Sequence, residues 1–203
     1  MLIIALIINL IIVVLELYTL GHIKGKLNIL KYYTYLQNLL ALLSGIVFSA
    51  VLIFCLLSGR EIPDFIRGIR YIATCGLAAT AFIFVVFLGA GKKIAITDDD
   101  FLGGFSARAA NSILHYGCPA LSVISLLLFE REIVMSSGIW TALVAIPSCL
   151  YWIVYIILSA TGKWKEPYNF AGEGKNSGLK EALTFIIIPI SFIAISFLLW
   201  NAM

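Results

Sequence analysis

Residues 1–20 read MLIIALIINLIIVVLELYTL, and this stretch decides the fold. Glu16 is its single charged side chain. A hydrocarbon layer about 30 Å thick is crossed by on the order of 20 apolar residues at about 1.5 Å rise each, so the run is long enough to span a bilayer as one helix. A secretory leader would need a basic start and a shorter apolar region of about 7–15 residues, so the run reads as a retained helix. Five further runs of the same kind follow: Tyr33–Ser58, Gly68–Ala90, Ala109–Phe129, Gly138–Ala160 and Leu179–Ala202.

The composition agrees with this reading. Of 203 residues, 62% are hydrophobic and 12% charged, against about 45–50% and about 25% in soluble domains. The expected fold is an all-α polytopic membrane protein, a bundle of six transmembrane helices. The connections are too short to fold separately, so residues 1–203 form a single transmembrane domain. No basic cluster is dense enough to make nucleic acid a partner. Cys55, Cys75, Cys118 and Cys149 fall inside spans without CxxC spacing, which reads as buried packing rather than disulfide or metal chemistry.

Lys and Arg sort the loops. Lys24, Lys26, Lys31, Lys92, Lys93, Arg108, Lys163, Lys165, Lys175 and Lys180 belong to the odd-numbered loops, against Arg60, Arg67, Arg70 and Arg131 on the other side. Cytoplasmic loops are enriched in basic residues, so the odd loops are expected in the cytoplasm and both termini outside. Asp98, Asp99 and Asp100 lack the spacing of a calcium loop and read as a solvated connection.

Polar side chains inside a bilayer tend to face the bundle interior, which makes them the place to look for chemistry. Two groups stand out. Tyr33, Thr34, Gln37 and Asn38 open the second span, with Thr34 and Asn38 on one helical face. Asn111, His115 and Tyr116 open the fourth, with Asn111 and His115 on one face. Both groups enter from the odd-loop side and so could meet. A hydroxyl becomes a nucleophile when an adjacent base takes its proton, and histidine is the usual base near neutral pH. Asn38 and Asn111 would orient the imidazole or donate to an oxyanion, and which does which stays open. The alternative is that these groups only hydrogen-bond helices together, at about 0.6 kcal/mol each.

His22, beside Lys24, reads as solvated or facing headgroups. Glu16 reads as structural, pairing with Lys31 or another polar group, or snorkelling to the interface. Tyr18, Trp140, Trp164 and Trp200 sit at span edges like interfacial anchors. Pro119, Pro147 and Pro189 break backbone hydrogen bonds within spans.

These features resemble a known family. Tyr33-Thr34 with Asn38 is similar to a bacterial Phe-Thr then Ser-Asn pattern, with Gln37 here in place of the serine. Leu114-His115-Tyr116 with Pro119 is followed by an apolar stretch ending Leu128-Phe129. Pro147 with Tyr151 and Tyr155 comes next, and then Pro167-Tyr168-Asn169-Phe170. In this order among six spans they look like the androgen-induced and androgen-dependent TFPI-regulating membrane proteins and their bacterial relatives. The animal members are intramembrane threonine hydrolases of fatty acid esters of hydroxy fatty acids.

The resemblance implies Thr34 as nucleophile and His115 as base, and on the hydrolase reading Tyr33, Gln37 and Tyr116 line a substrate pocket that a lipid or acyl ester enters from the bilayer. It needs no metal or organic cofactor, and it points to a bacterial cytoplasmic membrane. A small transporter or channel and a non-catalytic scaffold remain as alternatives. Against transport, Glu16 is the one charge placed well inside a span.

Overall fold

The computed structural model describes residues 1–25, 33–86, 98–130, 138–161 and 177–203, with the backbone alone at 33–34, 158–160 and 177–185. Six helical spans alternate in direction: α1 (Leu2–Gly21), α2 (Tyr33–Ser58), α3 (Asp64–Val86), α4 (Ala107–Phe129), α5 in two pieces (Ile139–Leu143 and Ala145–Ala160) and α6 (Ser177–Ala202). Five are long and apolar enough to cross a membrane, and the described apolar part of α6 runs Ile186–Ala202. The fold is the expected all-α polytopic bundle. Helices suit this setting because every backbone group finds its partner within the segment.

Several boundaries differ from the apolar runs. α3 starts at Asp64, ahead of the expected Gly68, because polar residues complete its first turn; positions 87–90 lie outside the described residues. α4 starts at Ala107, whose N–H donates to Asp98 Oδ1 at 2.6 Å. The acidic triplet is thus in part a helix cap. α5 is interrupted at Val144, three residues before Pro147. Near the α1 end, Ile23 bridges to Phe101 and so ties the two odd-loop connections together.

Lipid inverts the usual pattern of inside and outside. On α1 the buried stripe is Ala5, Asn9, Ile12, Glu16, Thr19 and Leu20, whereas Ile3, Ile7, Leu10, Val14 and Leu17 are exposed. The stripe keeps helical spacing but carries the polar residues inward, as helices packed in lipid do. Asn9 joins α1 to α2 by donating to the Gly45 carbonyl at 3.0 Å and to Ser49 Oγ at 2.7 Å. Gly45 permits that approach, since a Cβ there would lie 2.9 Å from Val13 Cγ2.

The central helix is α3, which packs against α2, α4, α5 and α6. Gly68 receives the Trp140 ring, and Gly76 receives the Gln37 carboxamide. Tyr71 donates to the Ser196 carbonyl at 2.5 Å and lies 2.9 Å from Ser196 Oγ, fixing α6. Trp140 and Trp200 therefore serve the core around α3, whereas Tyr18 is exposed as an anchor would be. Trp164 lies outside the described residues. Cys55, Cys75 and Cys118 are buried, but Cys149 is exposed, which corrects its reading as a packing residue.

Candidate functional site

Pro119 shapes the turn that carries His115. It has no N–H to offer the His115 carbonyl four residues earlier. At this place Ile113–Gly117 forms a wide π-helical turn, with the Cys118 N–H reaching the Ile113 carbonyl. Such turns interrupt α-helices frequently at functional sites.

The His115 side chain is 0% exposed. Its ring lies parallel to Phe84 at 4.1 Å between centroids and to Tyr35 at 6.4 Å, bringing α3 and the start of α2 to the imidazole. Phe84 also meets Tyr116 edge-on at 5.7 Å, although Tyr116 itself is largely exposed. Neither ring nitrogen of His115 has a hydrogen-bond partner among the described residues. An unsatisfied buried polar group costs about 1–3 kcal/mol, so an imidazole left in this state calls for an explanation.

Other polar atoms at the same end of the bundle share this condition. Glu16 is 0% exposed, and neither carboxylate oxygen has a hydrogen-bond partner among the described residues. Its electrostatic neighbours include Arg70 and Cys118, the latter one turn beyond His115. Snorkelling to the interface is thereby corrected: α1 turns Glu16 into the bundle, too far inward to reach water. Lys31, its other expected partner, lies outside the described residues. Asn111 Oδ1 and Gln37 Nε2 are also without partners, while Asn38 is fully buried one turn into α2.

Thr34 falls in the first turn of α2, one residue before Tyr35 and one turn before Asn38. The side chains of Tyr33 and Thr34 are outside the described part, and with them the expected approach of Thr34 to His115. Of the expected site residues, His115 packs on Phe84 and Tyr35, Gln37 lies against Gly76 of α3, Asn38 is buried in α2 and Asn111 stands one turn before His115 on α4. Pro167, Tyr168, Asn169 and Phe170 also lie outside the described residues.

His22 is half-buried rather than solvated. Its Nδ1 lies 2.7 Å from the Tyr18 carbonyl, and its ring packs on Tyr18 at 4.5 Å and Phe105 at 5.0 Å. Among the described residues no three His, Cys, Asp or Glu side chains gather as metal ligands.

The bundle holds a second polar group, built around a charge at the edge of an apolar run. Arg70, counted above with the loop charges, is 2% exposed inside the bundle. Its Nη2 meets Glu130 Oε1 at 3.2 Å and its Nη1 donates to Ser122 Oγ at 2.8 Å. Ser125 donates to the same Glu130 oxygen at 2.5 Å, and Thr74 lies 2.9 Å from Ser122. The signal was a spacing: Arg70 and Thr74 share one face of α3, and Ser122 and Ser125 share one face of α4. This network lies about two turns beyond His115 along α4, toward the end of the bundle that holds the termini, and its Arg70 interacts electrostatically with Glu16.

No protein-family model matches the chain, and no curated protein and no solved structure matches it either.

Proposed function

We propose that this chain hydrolyses lipid esters within the membrane, with Thr34 as nucleophile and His115 as its base, as a relative of the threonine hydrolases it resembles. The observation that carries the reading is the wholly buried imidazole in a π-turn, both nitrogens unbonded, beside the first turns of α2. His115 takes the Thr34 hydroxyl proton as the oxygen attacks the ester carbonyl. The proton then passes to the departing alcohol, and water activated by the same imidazole resolves the acyl-threonine. Asn38 or Asn111 donates to the developing oxyanion. Acyl chains enter sideways from lipid, and Gln37 and Tyr116 border the polar end. The odd loops face the cytoplasm of a bacterial cell in this reading.

The test is turnover of a panel of acyl esters and hydroxy-fatty-acid esters by the purified protein, beside Thr34→Ala and His115→Ala variants of native helicity. Loss of turnover in both supports the reading. Turnover indifferent to both defeats it.

The Arg70–Glu130 network favours a second reading, small-solute or proton transport, because buried charges of this kind mark pathways through membranes. Solute or proton flux in sealed proteoliposomes, abolished by Glu130→Gln, would move that reading ahead.

A further inference from the structure

Between α2 and α3 the chain reads Ser58-Gly59-Arg60-Glu61-Ile62-Pro63-Asp64. Gly59 takes φ +66°, a left-handed conformation that a side chain would strain, and this reverses the chain directly after α2. The Arg60 N–H then bonds the Cys55 carbonyl at 3.1 Å, and Pro63 leads into α3. Within this turn Ile62 is tucked inward among Phe48, Leu52, Cys55 and Ile66, with Leu2 packed against them. Arg60 and Glu61 are left exposed above it.

A half-open cleft of about 430 Å³ lies here, within the roughly 300–1,000 Å³ range of small-molecule sites. Its wall is apolar, formed by Leu2, Leu52 and Leu56, and its rim carries Arg60, Glu61 and Arg67. Arg60 stands 5.8 Å over the Phe54 ring, and Arg67 Nε donates to the Ile62 carbonyl at 2.8 Å. The cleft sits where α1 begins and α2 ends, so its rim is level with lipid headgroups and its wall with the upper acyl chains. Exposed Phe54, Leu57 and Phe65 flank it as membrane-facing side chains.

From this arrangement we infer a binding site for a zwitterionic aminophospholipid, of the phosphatidylethanolamine type. The phosphate lies against the Arg60 and Arg67 guanidinium groups, the ammonium donates to the Glu61 carboxylate, and one acyl chain follows the Leu52–Leu56 wall. The charge balance selects this occupant. The rim carries two guanidinium groups and the Glu61 carboxylate, so it offers both a place for a phosphate and a place for an ammonium, and it matches a headgroup holding one charge of each sign. A primary ammonium has N–H donors for a carboxylate, which a quaternary choline lacks. The site is independent of His115 and of the hydrolase reading.

The test is native mass spectrometry of the delipidated full-length protein with added phosphatidylethanolamine, phosphatidylcholine or phosphatidylglycerol of matched chains. The wild type is expected to retain the ethanolamine lipid about tenfold better than the other two. Glu61→Gln should erase the preference for ethanolamine over choline, and Arg60→Ala should weaken both at least fivefold. Leu56→Trp, which fills the cleft from its exposed wall, should reduce retention of every lipid. Arg60 and Glu61 are exposed, so their variants keep the fold, as circular dichroism will verify. Equal retention of the three lipids by the wild type, a preference for the anionic lipid, or variants indistinguishable from wild type would overturn the site.

Discussion

Replacing Glu130 by alanine should strongly destabilise the protein. Glu130 and Arg70 are 3% and 2% exposed, and a single carboxylate oxygen accepts from both Arg70 Nη2 and the Ser125 hydroxyl. Among the described residues, truncation leaves the buried guanidinium with Ser122 as its remaining hydrogen-bonded side chain and Ser125 without its acceptor. Removing one partner of a buried pair costs about 3–5 kcal/mol, because the surviving charge stays desolvated without its ion-pair partner; the Glu16 carboxylate, which also faces Arg70, places the loss toward the lower end. For a chain of this length each kcal/mol corresponds to about 2–4 °C, so the melting temperature should fall by roughly 6–20 °C. The double variant Arg70→Met with Glu130→Leu removes both charges and keeps volume. It should lie near the wild type or above it, since well-packed apolar replacements of buried pairs are often neutral or stabilising by about 1–4 kcal/mol. Thermal and denaturant unfolding in one detergent, for both single variants and the double, gives the coupling directly. A Glu130→Ala loss below about 1 kcal/mol, the level of a solvated surface pair, would refute the reasoning. So would a double variant whose loss equals the sum of the singles.

Further outcomes follow from individual contacts. Gly68→Ala places a Cβ 2.4 Å from the Trp140 ring; unfolding should show a loss of about 1–3 kcal/mol, relieved in a Trp140→Leu background. Gly76→Ala meets only the tip of Gln37, at 2.7 Å, so stability should change by less than about 1 kcal/mol as the carboxamide swings aside, while ester turnover falls several-fold if Gln37 borders the substrate. Asn9→Ala removes two interhelical hydrogen bonds and should cost about 1 kcal/mol at roughly 0.6 kcal/mol each. Glu16→Gln replaces a buried carboxylate with no hydrogen-bond partner among the described residues, and should raise the melting temperature while lowering turnover, because such groups are kept for function rather than stability.

The fold was legible because lipid imposes a simple code. Any helix crossing it needs a long apolar run, and the runs beginning MLIIALIINL and YTYLQNLLAL announce themselves. Helical spacing also turned Asn38 and His115 inward correctly, since a polar face in such a run has no other place to go. The same code hides Arg70. It stands six positions into α3, about 9 Å at 1.5 Å per residue, yet a hydropathy reading takes a charge so near the end of a run for a loop residue. Its partner Glu130 is 60 positions away, and nothing local joins the two. Cys149 escaped for the converse reason: the outside of the bundle is as apolar as the inside, so a thiol in a span says nothing about which way it faces. Nothing local marks Gly68 and Gly76 as contact points, because the ring and carboxamide seated on them come from other helices.

The central claim is a covalent intermediate on Thr34, and the most direct measurement is to trap it. The protein in bilayers is treated with an alkyl fluorophosphonate, which loses fluoride as the hydroxyl attacks phosphorus, or with a slowly released acyl ester, then digested and read by tandem mass spectrometry. The account predicts an adduct on the peptide carrying Thr34, localised to that hydroxyl, retained in Asn9→Ala and absent in His115→Ala and Thr34→Ala. An adduct on a different nucleophile, or labelling of Thr34 that persists without His115, would contradict it.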